Sequence, residues 1–391
     1  MPLTGKVRGV IAKGVRITDP FSVEIGEEVS LERISGQGVV LYGGTKIYGA
    51  KTLISTGVKI GGEGPATVVD CRLGPQVELN GGFFQSSVFL DKASMASGAH
   101  VREGSLLEEE AKAGHTVGLK QTILFPFVTL GSLINFCDCL MAGGSGREDH
   151  SEVGSSYVHF NYTPQQDKAT PSLIGDVPRG VMLNQPPVFL GGQGGLVGPV
   201  RIDYGTVITA GTVWRHDSHG AKLLHGGESR PLSRDYHAGS RGDIRRKVCN
   251  NIIYIANLLA LKQWYSHVRR PFFLKQELGE GLFKGAMELL ERAIGERLRR
   301  FRDFSEKMGK SIAAGEAKDG ARTDFLRRQR ELKERWPEME ACFQASPDEN
   351  SGKKNRDIFF EMLQRRVDGH SSYIDVIRSL DADARLEGTL W

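Results

Sequence analysis

Apolar positions in the first 240 or so residues follow neither the helical period of about 3.6 nor the strand alternation of two. Leu41, Ile47 and Leu53 stand six apart, as do Val117 and Ile123; Leu130 and Phe136 follow after one extra residue near Pro126, and Ile202 and Ile208 repeat the interval. A six-residue interval marks a hexapeptide β-helix, in which each repeat makes a short strand and a turn. The aliphatic residue points inward, a glycine or other small residue allows the corner, and three such faces close one coil. An ordinary β-sandwich with glycine-rich loops is the alternative. Residues 1–70 fit the interval least and read equally well as irregular capping strands. After Asp243 the period becomes helical: Ile252, Ile255, Leu258, Leu259 and Leu261 share a stripe, and Leu289, Leu290, Ile294, Leu298 and Phe301 share another. The polar stretch from Ala345 to Asn355 reads as a loop before a last pair of short helices ending near Leu380.

Composition sharpens this division. Of 49 glycines, 39 precede residue 244. The first 243 residues carry 22 Lys and Arg against 24 Asp and Glu, and the remainder 29 against 23, so basic charge gathers in the helical part. A total of +4 excludes charge as the main clue to function. Five cysteines without a Cys-x-x-Cys pair fit free thiols in a reducing compartment, and no window approaches a membrane span, so a soluble cytoplasmic protein is expected. The predicted organisation is an N-terminal cap over 1–22, a β-helix over 23–217, a linker over 218–242 and an α-helical domain over 243–391.

Three ordered segments carry a family resemblance: Lys112-Ala113-Gly114-His115, then HFNYTPQQDKATPSLIGD at 159–176, then VFLGGQGGLVGPVRIDYGTVITAGT at 188–212. Together they resemble the acetyltransferase half of the bifunctional UDP-N-acetylglucosamine pyrophosphorylase / glucosamine-1-phosphate N-acetyltransferase family. The resemblance implies a mainly β fold, a left-handed parallel β-helix of hexapeptide repeats with the α-helical domain appended. It implies acetyl-CoA as acyl donor, no metal, an amino sugar or nucleotide sugar as acceptor, and a homotrimer with sites between neighbouring subunits. The phosphate loop of the nucleotidyltransferase half has no counterpart in residues 1–60; Gly43-Gly44-Thr45-Lys46 is only a fragment of one.

Acyl transfer to an amine needs a base, donors for the oxyanion and a groove for the pantetheine arm. By resemblance His115 is the base, Asn161 and Tyr162 hold the acceptor, and the backbone at Gly192 and Ala210 meets the cofactor. Two positions depart from the family: Thr116-Val117-Gly118 stands where it has a tyrosine, and Glu103 where it has a phosphate-binding lysine. The stretch between His115 and Asn161 is about one coil longer than in the family, and its Gly143–Gly146 run leads to Arg147, Glu148, Asp149 and His150, which makes His150 a rival base. A non-catalytic scaffold or a sugar-nucleotide-binding subunit is the alternative function.

His216 and His219, with His225, His237 and the Cys137/Cys139 pair, are the residues a metal could use, but their spacing matches no zinc pattern and they read as solvated or capping groups. The arginine clusters at Arg297 to Arg302 and Arg327 to Arg335 read as solvated helix faces. Trp264 to Arg270 mixes aromatic and basic residues, and one such patch does not argue for a nucleic-acid partner.

Overall fold

The computed structural model describes residues 3–226, 233, 241–316, 323–345, 348, 350–367 and 372–391. From Arg16 to Leu224 the chain winds as a parallel β-solenoid of about eleven rungs with three faces. On the first face, Leu41, Ile60, Leu79, Met95, Ala113 and Leu130 follow at intervals of 16 to 19 residues and continue in register through Val153, Leu190 and Ile208 to Leu224. The second face stacks Ile47, Val68, Phe84, Val101, Leu119 and Phe136 inward. The third stacks Ile54, Leu73, Phe89, Leu107, Leu124, Met141, Ile174 and Ile202. The strands Gly118–Leu124 and Asn135–Met141 turn from the second face to the third without a break and join the two into one sheet.

The glycine excess belongs to the corners. Between the first and second faces Gly98, Thr116, Leu133, Ser156, Gln193 and Gly211 all adopt positive φ, and the N–H groups of the last five bond carbonyls one rung back, as in Leu133 to His115 at 3.0 Å and Gln193 to Ser155 at 2.8 Å. Glycine takes this conformation without strain; the other residues are held in it by the repeated inter-rung bonds.

Short additions interrupt the winding: helix α1 (Gly5–Ala12) caps the first rung, a hairpin (Gly144–Gly146 with Asp149–His150) leaves the third-to-first corner, and residues 161–171 and 175–188, the latter with α2 (Val177–Gly180), extend the next rung. The C-terminal region contains α3 (Arg245–Trp264), a π-helical turn (Tyr265–Arg269), α4 (Arg270–Phe273), α5 (Gly279–Glu306), α6 (Met308–Glu316), α7 (Thr323–Gln344), α8 (Lys353–Gln364), α9 (Tyr373–Arg378) and α10 (Ala382–Leu390). Helix α10 extends beyond the expected end near Leu380 because Asp381 caps it, accepting from Ala384 N–H.

The helical region lies along the outside of the third face. Leu53, Val88, Leu106, Ile123, Leu140 and Leu173 point outward there and are nevertheless buried. Leu53 and Ile123 were expected inside; the inward residues are their neighbours Ile54 and Leu124, while Leu53 meets α5 near Gly281. Polar contacts fix the docking: Arg72 to Glu288 at 2.8 Å, Asp138 to Arg297 at 2.7 Å, Glu108 to Arg269 at 3.1 Å, Asp167 to Arg241 at 2.7 Å, and Val177 N–H to Asn257 Oδ1 at 2.7 Å. Arg297 is thus an exception to the expected solvated face, since its side chain is only 3% exposed. Arg269, from the aromatic and basic patch, is buried as well.

Candidate active site

The first-to-second corner forms one continuous edge. Reading up the rungs, it carries Gly114-His115, Gly131-Ser132, Gly154-Ser155, Gly191-Gly192 and Thr209-Ala210, each pair immediately after an in-register inward residue. A Cβ on Gly154 would sit 2.4 Å from Gly192 N, and one on Gly191 2.3 Å from Ala210 N, so these glycines are required by rung stacking. The same smallness leaves backbone close to the surface along this edge, on which His115, Gly192 and Ala210 stand on separate rungs.

His115 is exposed, and its Nδ1 lies 2.9 Å from Ser132 Oγ. Ser132 is itself held by its N–H donating to Ser155 Oγ at 3.1 Å. With Nδ1–H donated to the serine, Nε2 is the ring nitrogen left to take a proton from an incoming amine. Ser132 was missed by reasoning from the sequence. The glycine-plus-small dipeptides at rung spacing, Gly114-His115, Gly131-Ser132 and Gly154-Ser155, are the signal that would have found it.

Asn161 and Tyr162 occupy a different corner. They follow the strand Val158–Phe160 at the second-to-third corner, on the opposite side of the second face from His115 and two rungs further on, roughly 10 Å along the stacking axis. Asn161 Nδ2 donates to Asp138 Oδ2 at 3.0 Å, its carbonyl accepts from Thr170 Oγ1 at 2.8 Å, and Asp138 is paired with Arg297. The amide therefore serves an internal network, whereas Tyr162 is 58% exposed. Glu103, on the same corner, pairs with Lys120 at 2.8 Å, which holds its carboxyl below the usual range against the cost of burial. Just before Asn161, His159 takes an inward position in the second-face stack, where burial lowers its pKa to about 4.

His150 lies in the hairpin on the far side of the first face from the His115 edge, with Nδ1 buried, so within one chain it is not brought to His115. Burial and the adjacent Asp138 push the Cys137 thiol up to about 11, and Cys139 is buried further. Among the described residues no group of three or more His, Cys, Asp or Glu is placed to hold a metal; His237 lies outside them.

The rung length, the three-faced winding and the small-residue edge define a hexapeptide-repeat β-solenoid. No family model matches the chain. It is similar to the bifunctional protein GlmU of Thermotoga maritima, 29% identical over 213 residues, which is 54% of this chain and 42% of that protein. The bifunctional proteins GlmU of Pelobacter propionicus and Carboxydothermus hydrogenoformans match at 28% and 25% identity, over 54% of this chain and 40% and 42% of theirs. The matched length is close to that of the solenoid, and the chain spans less than half the length of the curated relatives it matches. The resemblance read from the three segments therefore stands, at the level of the solenoid.

Proposed function

We propose that the chain is a CoA-dependent acyltransferase of the cytoplasm that transfers an acetyl group to an amino sugar, its phosphate or a nucleotide sugar. The observation that carries this reading is the small-residue edge that holds an exposed, serine-bound His115 on the same corner as Gly192 and Ala210. The similarity to GlmU supplies the chemical class. His115 Nε2 takes the proton as the amine attacks the thioester carbonyl, and the thiol of CoA leaves. Backbone amides along this edge are the available donors for the oxyanion and the pantetheine amides. No metal is part of this reading.

A single chain keeps His115 and Tyr162 apart, so the acceptor site is proposed to be completed by a neighbouring subunit in a homotrimer. The exposed outer ladder of Phe189, Val207 and Leu223, in register on successive rungs of the first face, supports an interface there. The test is release of free CoA from acetyl-CoA across a panel of amino sugars and their phosphates. His115→Ala should lower turnover by about 10²- to 10⁴-fold with an unchanged melting temperature. A second reading, a non-catalytic scaffold or sugar-nucleotide-binding subunit, is favoured by the engagement of Asn161 with Asp138 and by the Glu103–Lys120 pair. Absence of turnover across the panel, with wild type and His115→Ala indistinguishable, would decide for it.

A further inference from the structure

The helical region does not seal the third-to-first corner. A cleft of about 650 Å³ remains there, between rungs four to six on one side and the π-helical turn, α4 and α9 on the other, within the range of small-molecule sites. Its floor is polar and incompletely paired. Arg269, 1% exposed, pairs with Glu108 and Glu109 and stacks on the Tyr373 ring at 4.0 Å, while Gln276 Nε2 donates to Asp91 Oδ2 at 2.9 Å. Three buried atoms of these residues have no partner among the described residues: Glu109 Oε2, Gln276 Oε1 and Arg269 Nε. Buried polar groups are seldom left so, and three of them lining one cleft call for a ligand or water with several hydroxyl groups. Burial and the neighbouring Glu109 raise the Asp91 carboxyl to about 7, so this acid can donate as well as accept.

The mouth has the opposite character. The hairpin that lengthens this chain folds back so that Arg147 Nη1 donates to the Glu110 and Phe127 carbonyls at 3.1 and 2.7 Å, and its Gly146 lies against the Arg378 guanidinium. Neither Arg147 nor Arg378 comes within ion-pair distance of a carboxylate among the described residues, although Glu110, whose charge acts on Arg147, and Asp375 line the cleft with them. Phe127 and Phe272 supply apolar walls against which the C–H face of a sugar ring can lie.

We infer that this cleft binds a sugar phosphate, its hydroxyl groups on Glu109, Gln276 and Asp91 and its phosphate between Arg147 and Arg378. Hydroxyls fit a floor dominated by acceptors, and a dianion fits two guanidiniums that no carboxylate engages at ion-pair distance. The site lies across the first face from His115 and does not depend on the acetyl-transfer reading.

The test is calorimetric titration of the full chain, without CoA, with glucose 6-phosphate, glucose and inorganic phosphate. Saturable binding of glucose 6-phosphate is expected, tighter than glucose or inorganic phosphate by at least about tenfold. Arg378→Ala, on the exposed rim, should weaken it about tenfold or more, Gln276→Ala should do so from the floor, and His115→Ala should leave it unchanged. Arg147→Ala removes hairpin contacts too, so its melting curve is read beside its affinity. Equal affinity for inorganic phosphate, indifference to both Arg378→Ala and Gln276→Ala, loss in His115→Ala, or no saturation at millimolar ligand would each overturn the inference.

Discussion

His159 shows what one residue can carry in a repeat. It stands in a stack of aliphatic and aromatic side chains, and it is tolerated because both ring nitrogens are satisfied: Nδ1 lies 2.6 Å from the Cys137 carbonyl and Nε2 2.7 Å from Ser172 Oγ. A carbonyl only accepts, so Nδ1 carries the proton and Nε2 accepts from the serine, which in turn accepts from Val200 N–H at 3.2 Å. The ring is thus buried neutral. Its folded pKa of about 4 lies below the unfolded value of about 6.5, so the unfolded chain binds the extra proton between these pH values and stability falls as pH drops through them. Between pH 7 and pH 5 this amounts to about 2 kcal/mol. Asp91 works in the opposite sense: its folded pKa is raised to about 7, so its ionisation costs stability as pH rises from about 4 to 7. Urea unfolding at both pH values, comparing wild type with His159→Leu, isolates the histidine. The variant should be less stable at pH 7 and lose about 2 kcal/mol less than wild type on going to pH 5; equal losses would show that His159 is not held neutral. At this scale the candidate edge was partly legible, since small residues recur at rung spacing around His115, Gly192 and Ala210. Asn161 was legible as a residue but not in its role, because its partner Asp138 and that residue's own partner Arg297 are 23 and 136 positions away from it in sequence.

At the scale of elements, the six-residue interval foretold the inward stacks and missed what covers the solenoid. The signal was present: Val88-Phe89, Leu106-Leu107, Ile123-Leu124 and Leu140-Met141 are adjacent apolar pairs, which in a strand require burial on both sides. Reading one aliphatic residue per hexapeptide assigns only half of each pair, which is how Leu53 and Ile123 were expected inside. The cover is α5, whose Arg297 brings a charge down to Asp138 at the corner. A buried pair of this kind is expensive to break from one side and cheap to replace from both. Arg297→Met should destabilise by about 3–5 kcal/mol, leaving Asp138 charged and uncompensated, and Asp138→Asn added to it should recover most of that loss. Asparagine also suits the backbone there, since Asp138 has φ of 62°. Additive losses in chemical denaturation of the double variant would refute the coupling. The π-helical turn after α3 was not foreseeable from spacing, because Tyr265 and Arg269, which both reach Glu108, stand four apart and would share a face in a regular helix as well.

For the whole molecule, what matters is which surfaces remain after the helices take the third face. The first and second faces stay open, and they carry different residues along their length. Outward on the first face, Lys59 and Glu78 form a 2.9 Å ion pair in early rungs, while Phe189, Val207 and Leu223 end the ladder with apolar groups, Leu223 being 74% exposed. Scattered surface hydrophobes need no explanation, but three in register on consecutive rungs form a stripe, and a stripe is what a second copy can cover. The homotrimer proposed above uses this stripe, with the His115 edge alongside it and Tyr162 at the far side of the second face. Light scattering on the wild type should then give three times the chain mass of 42.9 kDa, and Val207→Asp, which buries an unpaired charge in each copy of the interface, should give a monomer that keeps its fold. If catalysis needs His115 from one copy and Tyr162 from the next, that monomer should lose acetyl transfer although both residues remain in place. Mixing the inactive variants His115→Ala and Tyr162→Ala should restore measurable turnover, because mixed trimers regain sites with both groups. A fully active Val207→Asp monomer would remove the shared site while leaving His115 as the base within a single chain.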